Sequence, residues 1–190
     1  MRFTSFASAF CALSAAAALA GCGDPLNFLP AQFENREDTV AVFAATNTPL
    51  FQPSAYLIAT RQRVRLDQVS TFDFIYDVDP AGRSILLPLG AVVSTGDAPG
   101  IPGFRRTETA FENIRIAEQL GYVAKDTVVV TPGDIFYVRS AVDINCPLGI
   151  PYYAKMQVLA IDETNRGIRF RILANVNCGY RGFEPGLPKK

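Results

Sequence analysis

The chain has 190 residues, 18 basic against 18 acidic side chains, 49% apolar residues and 19% charged ones. That is one domain's length with enough apolar residues for a packed core, so a disordered chain is excluded, and the balanced charge removes the basic face that nucleic-acid binding requires. Histidine is absent, which excludes Ser-His-Asp and Cys-His nucleophile systems, His-containing zinc sites and His-ligated haem.

Met1 and Arg2 make a short positive start, Phe3 to Ala20 is apolar or small apart from Thr4, Ser5, Ser8 and Ser14, and the segment closes on Leu19-Ala20-Gly21-Cys22. This order predicts a secretory signal peptide over 1–21; its Ala-rich core is too short to span hydrocarbon, which takes about 20 apolar residues. The Leu-Ala-Gly-Cys ending resembles the lipobox of bacterial lipoproteins. The resemblance implies that Cys22 takes a diacylglyceryl thioether, that the chain is cut before it, and that the new amine is acylated, a palmitate-type anchor. Two or three acyl chains, at roughly 0.8 kcal/mol per buried methylene, hold far more firmly than one. Gly23 in place of Asp after the Cys points, by resemblance to proteobacterial sorting, to the outer membrane of the bacterial envelope. The competing reading is an ordinary signal peptide with an unrelated Cys at its end.

With Cys11 lost and Cys22 acylated, Cys146 and Cys178 remain in an exported chain, and a disulfide between them is expected. A two-thiolate metal site is the alternative, but it needs two further ligands.

Gly23 to Asp38 mixes Gly, Pro, Asn and charge without a period, so 22–38 reads as a lipid-anchored tether and 39–190 as a single mainly-β domain. Thr39 to Thr46 is the first predicted strand. Ala55 to Leu66 alternates in part, with Arg61, Arg63 and Arg65 on one face. Phe72 to Asp79 is the clearest strand: Phe72, Phe74, Tyr76 and Val78 point one way, Asp73, Ile75, Asp77 and Asp79 the other. Pro80-Ala81-Gly82 predicts a turn, Ser84 to Ser94 an apolar strand pair interrupted at Pro88 and Gly90, and Gly96 to Gly103 a loop. Thr109 with Glu112 forms a capping box and Gly121 a stop, which predicts one helix over 110–120. Thr127–Thr131 and Ile135–Ala141 flank Pro132-Gly133 as a hairpin, and Tyr152–Asp162 and Ile168–Val176 form a second. The expected fold is antiparallel and mainly β, a sandwich or a flattened barrel, with one short helix.

Three pieces of this region resemble the HmuY-like haemophore lipoproteins: Phe72-Asp73-Phe74-Ile75-Tyr76, Phe111 through Gly121-Tyr122, and Phe136-Tyr137-Val138-Arg139 followed by Tyr153-Ala154-Lys155-Met156-Gln157-Val158. The resemblance implies a lipid-anchored β scaffold at the cell surface. It implies haem capture too, but that family holds haem through histidine and this chain has none. Tyr152, Tyr153 and Met156 are of a type that ligates haem iron elsewhere, yet on strands such residues are ordinarily core or sheet surface.

Other candidates are thin. Asp73, Asp77 and Asp79 on one face suit either a Ca²⁺ ion with loop carbonyls or a solvated sheet face. Arg61, Arg63 and Arg65, with Arg105 and Arg106, suit an anionic ligand or lipid headgroup, or else the wet face of an edge strand. Tyr180-Arg181-Gly182-Phe183 suits packing over the sheet end. No catalytic pair, metal set or cofactor motif is expected. Two functions follow: a β scaffold for a small ligand, whose Phe and Tyr would line a hollow, or a structural or interaction lipoprotein, whose core would be closed and whose partner is another envelope protein.

Overall fold

The computed structural model describes residues 30–94, 100–146 and 149–189. The signal peptide and Cys22 lie outside these residues. Chain contacts divide the protein into Met1–Pro30 and Ala31–Lys190, and the strands among the described residues belong to the second unit.

Two antiparallel five-stranded sheets pack face to face as a sandwich, without closing into a barrel. The first sheet has the order β1 (Arg36–Phe43), β10 (Gly167–Asn175), β9 (Pro151–Asp162), β8 (Ile135–Val142) and β6 (Gly103–Thr107). The second has the order β3 (Gln62–Val64), β2 (Ala55–Leu57), β4 (Phe74–Val78), β5 (Ser84–Pro88) and β7 (Val128–Val129). Period-two patterning explains the main layer: Ile168, Phe170, Ile172 and Ala174 of β10 and Tyr152, Ala154, Met156 and Val158 of β9 all enter the inter-sheet core. Their register slips between Arg169 and Phe170, so Leu159 is an extra residue that restores Ile161 to the inner face.

The core is aromatic. Phe74 lies 5.6 Å from Tyr56, 5.1 Å from Phe104 and 5.9 Å from Phe170, and Phe104 lies 5.7 Å from Phe136. Such pairs contribute about 0.5–1.5 kcal/mol each beyond their buried area.

Several local expectations are corrected. β1 begins at Arg36, inside the stretch read as tether, and the backbone of Gln32 and Phe33 is already bound to the Asn177 side chain. The Ala55–Leu66 run is a short hairpin, with Arg61 in its turn at φ 55° instead of on a strand face. β4 starts at Phe74, so Phe72 falls outside the alternation and packs with Ala55 and Ile75 on the outer side of the second sheet. The second arm of Ser84–Ser94 is a single helical turn, α1 (Leu89–Val92). Pro132-Gly133 does turn the chain, with Gly133 at φ 95° and Asp134 N–H donating to Thr131 O. Its arms nevertheless diverge: β7 joins β5 in one sheet while β8 joins β6 and β9 in the other.

The helix over 110–120 is replaced by one 3-10 turn (Phe111–Asn113) and an extended strap. Phe111, Ile114 and Ala117 are buried as the pattern requires, but against the outer face of the first sheet with Tyr137, Tyr153, Leu173 and Phe183. Tertiary bonds take the groups a helix would have used. Ala117 N–H donates to Arg181 O, Phe183 N–H to Arg115 O, and the Lys155 ammonium to the carbonyls of Phe111 (2.8 Å) and Ile114 (3.1 Å). The Glu112 carboxylate accepts from Arg171 at 2.6 Å instead of closing a capping box. The tail Tyr180–Phe183 thus packs over the sheet, as its composition suggested.

Lys155 is 5% exposed and its ammonium also sits 4.5 Å from the Phe111 ring. Burial lowers its pKa from the ordinary lysine value. Lys155→Met keeps the apolar stem but strips both carbonyls of their donor, and it is expected to cost about 2 kcal/mol. Urea unfolding measures that loss, and hydrogen exchange should show it concentrated in the strap. Uniform protection would contradict the assignment.

Candidate functional site

The two sheets are joined at one end by a carboxylate. Asp73 is 1% exposed; its Oδ2 accepts the Ile58 N–H at 2.6 Å and its Oδ1 the Ala141 N–H at 2.6 Å. Ile58 follows β2 in the second sheet, whereas Ala141 lies in β8 of the first. The β8–β9 register slips between Arg139 and Val142. That bulge frees the Ala141 N–H from the ladder and turns it to the carboxylate. Ser140 completes the junction: its hydroxyl donates to Ala141 O and accepts the Tyr152 N–H. Burial pushes the Asp73 carboxyl up to about 6, against the lowering effect of its two backbone donors, with the Asp143 charge adding to the rise.

Above Asp73 is a depression of about 260 Å³ between Leu57, Ala59 and Thr71 on one side and Val142 and Ile144 on the other. Its far wall is a braced loop. Asp143 accepts the Asn145 N–H through its side chain at 2.7 Å and the Cys146 N–H through its carbonyl at 3.0 Å. Cys146 is then covalently joined to Cys178, three residues beyond β10. The expected disulfide is therefore present, clipping this loop to the sheet margin. At the loop's tip Ile144 is 96% exposed.

The aspartates expected on one wet face are separated. Asp73 is buried, Asp77 accepts the Thr46 N–H and hydroxyl, and Asp79 accepts the N–H groups of Ala81 and Arg83 across the Pro80–Gly82 turn. The arginines are also dispersed. Arg65 pairs with Asp67, Arg105 donates to Leu120 O and Arg106 pairs with Asp134, while Arg63 lines one cleft with Arg61 and another with Arg65. Tyr152 and Met156 are buried between the sheets while Tyr153 is buried on the outer face, so these three do not converge.

Asp73 carries one usable signal in the sequence: its nearest neighbour on the same strand face is the apolar Ile75. Ile144 carried none, since it lies between polar neighbours in an aperiodic loop. No family model, curated protein or solved structure matches the chain.

Proposed function

We propose that the chain is a cell-envelope lipoprotein, anchored through acylated Cys22, whose β-sandwich acts as a non-catalytic interaction module for another envelope protein. The observation that carries this reading is Ile144, held almost fully in solvent on a loop fixed by the Asp143 turn and the disulfide. Presenting a large apolar side chain on a rigid support costs little further entropy when a partner buries it. The aromatic residues support the same choice. Phe74, Phe104, Phe136, Phe170, Tyr56 and Tyr76 fill the inter-sheet core instead of lining a hollow for a small apolar ligand. Among the described residues no helix is long and apolar enough to cross a membrane.

A photo-crosslinking residue placed at Ile144 in the host envelope tests the reading, with the exposed hairpin residue Glu163 as the control position. One discrete adduct at Ile144 and none at Glu163 is expected. Ile144→Asp should abolish partner capture while changing stability by less than about 0.5 kcal/mol. Equal labelling at both positions, or a small molecule retained by the chain in native mass spectrometry with no protein adduct, would favour the scaffold for a small ligand. Labelled palmitate that fails to enter the chain would remove the anchor.

A further inference from the structure

Each sheet ends in two edge strands, and three of these four edges are blunted against further pairing. β3 and β7 run for only three and two residues. β6 carries Arg105 and Arg106 and exchanges both backbone bonds of Phe104 with Val123. Short length, charge and cover are the usual devices that keep an added strand away. β1 has eight residues and pairs with β10 alone.

The ladder fixes which way the backbone groups of β1 point. Ala44 N–H donates to Arg166 O, one step beyond the pair Phe43 and Gly167, so the even-numbered residues face β10. The odd-numbered residues face away, as Phe43 does in donating to Pro53 O. At the other end Asn35 and Gly186 exchange backbone bonds on the same outward side. The edge is therefore closed at both ends and open between them. The open stretch presents the N–H groups of Glu37, Thr39 and Ala41 and the carbonyls of Glu37 and Thr39. Glu37 and Thr39 are exposed, and Ala41 O receives only the Arg63 guanidinium, at 3.4 Å.

A strand laid along this stretch would continue the first sheet and roof a cleft of about 440 Å³. Arg36, Asp38 and Val40 of β1 line that cleft with Arg61 and Arg63 of the β2–β3 hairpin. Alternate side chains of the added strand would point into it. The lining holds three guanidinium groups and one carboxylate, Asp38, which pairs with Arg36 at 3.3 Å. Acidic side chains on the inward face of the strand would meet the other two cations.

We propose that β1 is a docking edge for an extended acidic segment of a partner protein, which adds to the first sheet as a sixth strand. Backbone bonds to Glu37, Thr39 and Ala41 hold the segment, and Arg61 and Arg63 select its inward carboxylates. This surface does not depend on the role given to Ile144.

Fluorescence anisotropy with a labelled Thr-Glu-Val-Glu-Val-Thr peptide and the full-length chain in non-ionic detergent tests this, with Thr-Lys-Val-Lys-Val-Thr as the comparison. Saturable binding is expected, about tenfold tighter for the acidic peptide, and hydrogen exchange should slow at Thr39 and Ala41 when it binds. Thr39→Pro removes an outward N–H and no bond to β10, a position where an edge strand tolerates proline. It should weaken binding about tenfold while the melting midpoint holds. Arg63→Glu, at an exposed position, should reverse the preference between the two peptides. Should the proline variant fold poorly, exchange on the wild-type chain and the Arg63→Glu preference carry the test. No saturable binding, protection that falls outside β1, or an unchanged preference in Arg63→Glu overturns the proposal. A wild-type dimer that Thr39→Pro abolishes would assign the edge to a second copy of the chain and overturn it equally.

Discussion

Replacing Cys146 and Cys178 with serine should lower the unfolding free energy by about 3.5–4 kcal/mol. The bridge spans a sequence separation of 32, and closing a loop of that length removes roughly this much conformational entropy from the unfolded chain. A second effect is local. The loop from Asp143 to Cys146 keeps its turn through Asp143, but it loses its only covalent tie to the end of β10. Crosslinking through Ile144 should therefore weaken at temperatures where the sandwich is still folded. Urea unfolding of the oxidised chain and the double serine variant gives the first number, and crosslinking yield across a temperature series gives the second. A stability loss below about 1 kcal/mol would mean that the unfolded chain is already compact around this loop.

Stability should fall by about 2.5 kcal/mol as pH rises from 4 to 7, through Asp73 alone. Its folded-state pKa is near 6 against an ordinary 3.8, so the folded chain holds this proton more tightly than the unfolded one. The contribution is complete below about pH 4 and is lost as pH rises through 6, each tenfold difference in proton affinity between the two states being worth about 1.4 kcal/mol. Asp79, Glu112 and Asp162 have lowered pKa values. Their contributions are present at higher pH and are lost only as pH falls through the acid range, so the slope between pH 5 and 7 reports Asp73. Urea midpoints at half-unit steps measure it. Asp73→Asn should flatten the slope and lower stability throughout, because an amide offers an oxygen to only one of the Ile58 and Ala141 N–H groups. A wild-type profile that is flat or rising between pH 5 and 7 would show that burial does not raise the Asp73 pKa above its unfolded value.

The layers of this fold were legible because they depend on side-chain alternation. Ile168, Phe170 and Ile172 against Arg169 and Arg171 predict β10, and the antiparallel sandwich follows from several such runs. The misread elements share a cause: a correct apolar pattern whose backbone bonds go to distant partners. Phe111, Ile114 and Ala117 are inward as a helix would place them, but Lys155 and the tail at Arg181 and Phe183 supply the bonds. The Pro132-Gly133 turn is likewise real at its tip, whereas the pairing of β7 and β8 is decided by neighbours far away in sequence. At the candidate site the disulfide was legible by cysteine arithmetic. The role of Asp73 was not, because a bulge in β8 creates its second partner and no local pattern announces a bulge.

The way residues 32–35 meet the sandwich also has a mechanical meaning. Asn177 accepts the N–H groups of Gln32 and Phe33 and donates to Phe33 O, while Asn35 exchanges backbone bonds with Gly186. A pull applied ahead of Ala31 is therefore carried first by Asn177, whose next residue is the half-cystine Cys178. Those hydrogen bonds must break before the pull can peel β1 from β10, and the residue that accepts them is held in place by the neighbouring cross-link.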